Sequence, residues 1–201
     1  MRASTRREFV AGPAGRIECA VDEPEATPRG VARGVALIAH PHPLFGGSLD
    51  NKVVQTLARA FLELGYETWR PNFRGVGETE GVHDEGRGEL DDLHAVVKFL
   101  KVEKPVLAGF SFGAAVQARL AARVTPERLV LVGVGVTRLE TPAVPEGTLV
   151  IHGENDETVP LAAVLDWARP QELPLVLVPG AAHFFHRKLH VLRAIVVSNW
   201  K

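Results

Sequence analysis

Three residues that together can carry out nucleophilic catalysis stand in separate stretches of this sequence: Ser111, Asp156 and His183. A serine hydroxyl is a weak nucleophile at neutral pH until a base removes its proton. Histidine suits that task, because its unperturbed pKa of about 6.5 lies near the working pH. A carboxylate beside the ring fixes the histidine tautomer and stabilises the imidazolium. These residue types predict acyl transfer through an acyl-serine, which water then hydrolyses.

The serine lies at the centre of Gly-Phe-Ser-Phe-Gly at 109–113, between an apolar run at 105–108 and a helix-forming stretch at 114–123. A sharp turn from strand to helix holds its central residue in a strained backbone conformation, and glycine at both ends leaves room for that turn. The turn also aims the Phe112 N–H at the space above the Ser111 hydroxyl. The pentapeptide therefore predicts a nucleophile and an anion-stabilising donor on adjacent residues.

Asp156 and His183 each follow a short apolar run, at 148–151 and 175–178. Such runs are typical of buried parallel strands, and ligands and catalytic groups collect beyond the strand ends of open α/β sheets. We therefore expect the acid and the base to lie on the same side of one sheet as the serine.

Apolar runs and helical stretches alternate along the chain, which predicts a parallel sheet covered by helices on both faces. Strands are predicted near 35–39, 66–70, 105–109, 128–134, 148–152 and 174–178. Helices are predicted near 51–64, 86–101, 113–123, 160–168 and 185–199. Residues 8–11 and 16–21, joined by Gly-Pro-Ala-Gly, predict an antiparallel hairpin before them, and 22–33 predicts an exposed loop.

Over nearly its whole length the chain resembles the α/β-hydrolase superfamily. The serine turn, the chain order serine, aspartate, histidine, and the loop at 72–79, with Thr79 where a serine is usual, all match that pattern. The stretch His-Pro-His-Pro-Leu-Phe-Gly-Gly at 40–47 resembles a bacterial group of short α/β-hydrolases without a lid. The resemblance implies an α/β-hydrolase fold: a mostly parallel twisted sheet with an N-terminal antiparallel hairpin, in one domain over 1–201.

The resemblance also implies that a second backbone N–H completes an oxyanion hole with Phe112, from the loop after the strand at 35–39. Pro41 and Pro43 have no N–H to offer. His42, Leu44 and later residues remain, and we favour Leu44, with His42 as the alternative.

Several residues compete with these assignments. Glu154 and Glu157 flank the acid, but the match to His-Gly-x-x-Asp selects Asp156. His186 competes with His183, although we expect it within the following helix. We expect His152 to brace the acid loop rather than to react.

His40 and His42 are two residues apart, and on an extended strand they would share one face, as metal ligands do. Zinc needs at least a third protein ligand, and no partner at a suitable spacing is evident. We therefore predict hydrogen bonding in the oxyanion loop, with no metal and no cofactor.

The connection at 135–147 decides how open the site is, because many members of the superfamily carry a cap domain there. It is too short for two packed helices, so 137–146 is predicted to be a plain loop over an open cleft. Such a cleft favours substrates with an accessible acyl group. Four apolar residues are candidates to line the acyl pocket, with ordinary packing in the core as the alternative: Phe45, Phe112, Val136 and Phe184.

Composition and charge indicate which kinds of binding partner the protein can have. The 201 residues carry a formal net charge of −1, which gives no long-range attraction to nucleic acid or to an anionic membrane. No apolar run approaches the roughly 20 residues that span a bilayer, and no signal segment is evident. Cys19 is the single cysteine, so no internal disulfide is possible. We expect a cytoplasmic monomer or homodimer with a small-molecule substrate.

Three function classes fit these patterns. The first is a serine hydrolase that cleaves a small or medium carboxylic ester or thioester. The second is a peptidase or amidase of the same fold, which would usually need a larger substrate-holding domain. The third is a catalytically silent binding protein, against which the presence of Ser111, Asp156 and His183 argues.

Overall fold

The computed structural model describes residues 5–25 and 32–200 and contains one eight-stranded sheet. The strands are β1 (Arg6–Gly12), β2 (Gly15–Asp22), β3 (Val35–Ala39), β4 (Glu67–Pro71), β5 (Val106–Phe110), β6 (Arg128–Val132), β7 (Leu149–Gly153) and β8 (Leu175–Val178). The helices are α1 (Lys52–Glu63), α2 (Arg87–Leu100), α3 (Phe112–Leu120), α4 (Leu161–Ala168) and α5 (Leu189–Ser198).

The strand order is β1-β2-β4-β3-β5-β6-β7-β8. β1 pairs antiparallel with β2, and β2 pairs antiparallel with β4. All later neighbours pair in parallel, so the carboxyl ends of β3 to β8 lie along one edge of the sheet. The predicted α/β-hydrolase fold, with its N-terminal antiparallel hairpin, is confirmed.

Helices cover both faces of the sheet. Successive side chains of a strand point to opposite faces, so each central strand contributes to a core on either side. In β3, Leu37 packs in a core with α2, α3 and α4. Its neighbours Ala36 and Ile38 pack in a second core with α1 and α5. These strands are therefore apolar at nearly every position, in place of the alternation seen in a half-exposed strand.

Gln117 fixes helix α3 to the two central strands. Its side chain is fully buried, and its Nε2 donates to the Leu37 carbonyl at 2.9 Å and to the Ala108 carbonyl at 3.0 Å. These two bonds satisfy the buried Nε2 and stabilise the packing, while Oε1 of the same amide has no hydrogen-bond partner among the described residues. The helix that begins beside Ser111 is thus bonded to both β3 and β5.

The connection from β6 to β7 contains no helix, as predicted, and the absence of a cap is confirmed. It is nevertheless held in place. Arg119 Nε donates to the Glu140 carbonyl at 2.8 Å, and Trp167 Nε1 donates to the Thr141 carbonyl at 3.1 Å. Leu139 is buried.

Two predictions need correction. Helix α5 begins at Leu189 instead of near 185, because Phe185 and Arg187 have positive φ angles that a helix cannot contain. Asp22 belongs to β2 and is buried instead of opening an exposed loop, and 26–31 of that predicted loop lie outside the described residues. In the described part of the chain, no helix is long and apolar enough to cross a membrane.

Candidate active site

Ser111 occupies the turn between β5 and α3 with φ 57° and ψ −118°, an unfavourable backbone conformation for a residue with a side chain. The surrounding backbone holds it there. Its N–H donates to the Val132 carbonyl at 2.9 Å, and its carbonyl accepts the Gly135 N–H at 3.1 Å. The predicted strained turn is confirmed.

The two glycines of the turn are required by close contacts. A Cβ atom at Gly109 would lie 2.5 Å from the Gly113 carbonyl oxygen. A Cβ atom at Gly113 would lie 2.3 Å from the His40 carbonyl oxygen, where β3 has just ended. Real Cβ atoms do not approach so closely, so a side chain at either position would push the helix away from the strands.

The structure brings Ser111, His183 and Asp156 together in one hydrogen-bonded row. His183 Nε2 lies 3.0 Å from Ser111 Oγ, and His183 Nδ1 lies 2.7 Å from Asp156 Oδ2. All three residues are at most 9% exposed. With Nδ1–H donated to the carboxylate, Nε2 is free to accept the serine proton, which is the arrangement that nucleophilic catalysis needs.

The acid loop holds Asp156 as an anion. Burial raises its pKa, but hydrogen bonds from His183 and from the Val159 N–H outweigh that effect, so the pKa lies below its ordinary value. Its Oδ1 accepts the N–H groups of Thr158 at 2.9 Å and Val159 at 2.8 Å. His152 Nε2 lies 3.0 Å from the Val159 carbonyl, so His152 braces the loop, as predicted.

The competing residues lie elsewhere. Glu154 Oε2 accepts the Gly180 N–H at 2.7 Å and so holds the turn that follows β8. Glu157 is exposed. His186 lies in the turn before α5, with its ring 6.0 Å from that of Phe184, so its expected place within a helix is wrong. No hydrogen bond joins any of the three to Ser111 or His183 among the described residues.

His40 fixes the start of the loop that follows β3. Its ring is fully buried, with Nδ1 2.6 Å from the Pro41 carbonyl and Nε2 accepting the Phe73 N–H at 2.9 Å. Burial lowers the pKa of His40 to about 4, so the ring is neutral at pH 7. Both ring nitrogens already have partners, which agrees with the predicted hydrogen-bonding role.

The two predicted sources of a second oxyanion N–H are placed differently. The Leu44 N–H donates to His42 Nδ1 at 3.3 Å. The Leu44 side chain is exposed and does not line the cavity that opens at Ser111. His42 lines the cavity beside Ser111 and Phe112. The Leu44 N–H therefore already has a partner within the loop, and both Leu44 and His42 stay predictions for the second oxyanion donor.

The loop after β4 ties the site to the rest of the sheet. Asn72 accepts the Leu49 N–H at 2.9 Å and donates to Glu18 Oε2 at 2.7 Å. Thr79 Oγ1 accepts the Glu18 N–H at 2.9 Å and donates to the Asn72 carbonyl at 3.0 Å. Thr79 thus supplies the hydroxyl that a serine usually supplies. Sequence reasoning did not identify the role of Asn72, which has no local signal because its partners are distant along the chain.

A cavity of about 250 Å³ opens at Ser111. Its lining is Pro41, His42, Phe45, Gly46, Gly47, Asn51, Ser111, Phe112, Gly135, Arg138, Thr158, Val159, His183 and Phe184. Three of the four predicted pocket residues line it, whereas Val136 packs against the core. Sequence reasoning missed Arg138, although its place in the connection over the cleft was a possible signal.

Comparisons with known proteins identify the family and support the fold. The family model described as "alpha/beta hydrolase fold" matches residues 42–147. A serine hydrolase without a lid from Xanthomonas campestris is 39% identical, with a TM-score of 0.89 over 99% of this chain and 94% of that one. A serine hydrolase homologue from Coxiella burnetii is 38% identical, with a TM-score of 0.87 over 98% and 97%. An uncharacterized protein of Rickettsia prowazekii is 30% identical over 90% of this chain and 82% of its own length.

Proposed function

The chain belongs to the α/β-hydrolase family, and on that premise we propose that it is a serine hydrolase of small or medium carboxylic esters or thioesters. The observation that carries the proposal is the row of hydrogen bonds from Ser111 Oγ through His183 to Asp156, at 3.0 and 2.7 Å. The row opens into a cavity that contains Ser111 and His183.

In the proposed reaction, Ser111 Oγ attacks the acyl carbon while His183 Nε2 takes the serine proton. Asp156 stabilises the imidazolium that forms. The negative charge on the former carbonyl oxygen is bound by the N–H groups of Phe112 and His42. The intermediate collapses, the imidazolium returns its proton to the leaving alcohol or thiol, and the acyl group remains on Ser111.

Deacylation repeats these steps with water as the nucleophile. His183 removes a proton from water as the water oxygen attacks the acyl-serine, and the same proton is returned to Ser111 Oγ when the ester bond breaks. A carboxylic acid is released and the free enzyme is restored.

Cavity size supports a small or medium substrate. Its volume of about 250 Å³ is slightly below the range of typical ligand pockets, about 300–1,000 Å³. The connection from β6 to β7 adds no helical cap that could enclose a long acyl chain. The relative from Xanthomonas campestris is likewise described as a serine hydrolase without a lid.

The test combines labelling and turnover. Wild type and Ser111→Ala are treated with a fluorophosphonate probe and assayed with p-nitrophenyl acetate and with a matched thioester. The wild type should be labelled and should hydrolyse at least one substrate, whereas Ser111→Ala should do neither. Ser198→Ala, at the end of α5, is the matched control and should behave like the wild type. Comparable turnover by Ser111→Ala would overturn the proposal.

A further inference from the structure

Arg138 gives the cavity a charge that the proposed chemistry does not use. It is the one Arg or Lys in the cavity lining, and no Asp or Glu of the described residues lines it. The remaining polar groups are Asn51, Thr158, His42 and the catalytic candidates. The cavity beside Ser111 is therefore biased toward positive charge, although the whole chain is close to neutral.

No carboxylate in the described part of the chain lies within ion-pair distance of the Arg138 guanidinium. Other arginines there have such partners, as in Arg74 with Asp92 at 2.8 Å. Arg138 instead lies over the Phe45 ring, 4.9 Å from its centre. Stacking on an aromatic ring uses the flat face of the guanidinium and leaves the N–H groups at its edge for other acceptors.

The backbone of Arg138 is fixed relative to the nucleophile. Its N–H donates to the Gly135 carbonyl at 3.2 Å, and Gly135 in turn bonds to the Ser111 carbonyl at 3.1 Å. The next residue, Leu139, is buried and packs against Gly86: a Cβ atom added to Gly86 would lie 2.9 Å from the Leu139 side chain. The backbone of Arg138 is therefore fixed beside the cavity, and its exposed side chain reaches from there over the Phe45 ring.

We propose that Arg138 binds an anionic group of the substrate, so that the preferred ester or thioester carries a carboxylate or a similar anion beyond the scissile bond. A guanidinium matches such an anion through paired N–H bonds. Phe45 and Phe184 supply apolar walls for the carbon atoms between the anion and the ester. This inference rests on the proposed hydrolase function and adds a substrate class to it.

The test uses two ester pairs that differ by one negative charge. On the acyl side, mono-p-nitrophenyl glutarate is compared with p-nitrophenyl valerate. On the alcohol side, 4-butyryloxybenzoate is compared with its methyl ester. The measured quantity is the ratio of kcat/KM for the anionic ester to kcat/KM for the neutral one. Comparing this ratio between variants cancels the intrinsic reactivity of each ester.

For at least one pair, the ratio should fall about tenfold in Arg138→Gln, as expected for the loss of a charge-assisted hydrogen bond. It should fall less in Arg138→Lys, which keeps the charge and loses the paired geometry. Arg123→Gln removes an arginine that pairs with Asp91 outside the cavity, and its ratio should match the wild type. Added salt should lower the wild-type ratio.

An unchanged ratio for both pairs in Arg138→Gln would overturn the inference while leaving ester hydrolysis intact. Failure of the wild type to hydrolyse any of the esters, with no labelling of Ser111, would instead overturn the proposed function. If Arg138→Gln does not fold, Arg138→Lys and the salt dependence of the wild-type ratio decide the question, and insensitivity of both would contradict the inference.

Discussion

His40 Nε2 accepts the backbone N–H of Phe73 at 2.9 Å, and this bond joins the carboxyl end of β3 to the loop that follows β4. The opposite nitrogen of the same ring lies 2.6 Å from the Pro41 carbonyl. One buried imidazole therefore connects the loop that carries His42 to the loop that follows β4, and it can do so only while it is neutral, because Nε2 must accept a hydrogen bond.

That requirement predicts a pH dependence of stability. The pKa of His40 is about 4 in the folded chain and about 6.5 in the unfolded one. Between these values the unfolded chain binds a proton that the folded chain does not. The contribution of His40 is thus fully present above pH 6.5 and is lost as the pH falls toward 4, at a limiting slope of about 1.4 kcal/mol per pH unit.

The measurement is urea unfolding of wild type and His40→Gln at pH 7 and pH 5. The wild type should lose more of its free energy of unfolding over this interval than His40→Gln does, whatever their difference at pH 7. His190→Gln changes an exposed residue of α5 and should keep the wild-type dependence. Equal losses in wild type and His40→Gln would show that the ring is not buried in its neutral form.

Asp156→Asn tests the acid assignment. Asparagine keeps the volume but favours the wrong His183 tautomer, so kcat should fall by as much as about 10⁴-fold. Glu154→Gln and Glu157→Gln are the matched controls, and each should reduce kcat far less, because Glu154 bonds to the Gly180 N–H and Glu157 is exposed. A larger loss in either control than in Asp156→Asn would reassign the acid.

Gly113→Ala tests the contact between helix α3 and the end of β3. The new Cβ atom would lie 2.3 Å from the His40 carbonyl oxygen, so the free energy of unfolding should fall by about 1–3 kcal/mol. Ester hydrolysis should fall as well, because the helix that supplies the Phe112 N–H would move.

Gly147→Ala is the control for this substitution. Gly147 also requires a positive φ, 79°, but nothing lies within 4 Å of an added Cβ atom. Its cost should be limited to backbone strain of about 1 kcal/mol, with hydrolysis unchanged. Chemical unfolding and kcat/KM measured on both variants separate the two effects, and equal losses of activity would contradict the contact argument.

The open cavity predicts a limit on acyl length. Across p-nitrophenyl acetate, butyrate, octanoate and palmitate, kcat/KM should decline once the chain exceeds what about 250 Å³ can hold. No increase is expected when a substrate passes its solubility limit, because the connection from β6 to β7 contains no helical lid to open. A preference for emulsified long-chain esters would contradict this prediction.

Several features were predictable from the sequence because their causes are local. Apolar runs alternating with helical stretches predict the order of strands and helices, and glycines at 109 and 113 predict the tight turn at Ser111. The order Ser111, Asp156, His183 places one polar group after each of three strands. Parallel pairing then brings those strand ends to one edge, since parallel strands all end on the same side.

Only the tertiary structure decided the remaining points, because each depends on contacts between residues far apart in the chain or on loop dihedral angles. The Leu44 N–H donates to the His42 side chain, a contact set by the dihedral angles of the loop. Positive φ angles at Phe185 and Arg187 keep His186 out of α5. The sequence placed Arg138 in the connection over the cleft, but its position at the cavity was decided by loop packing, in which Leu139 lies against Gly86, about fifty residues earlier.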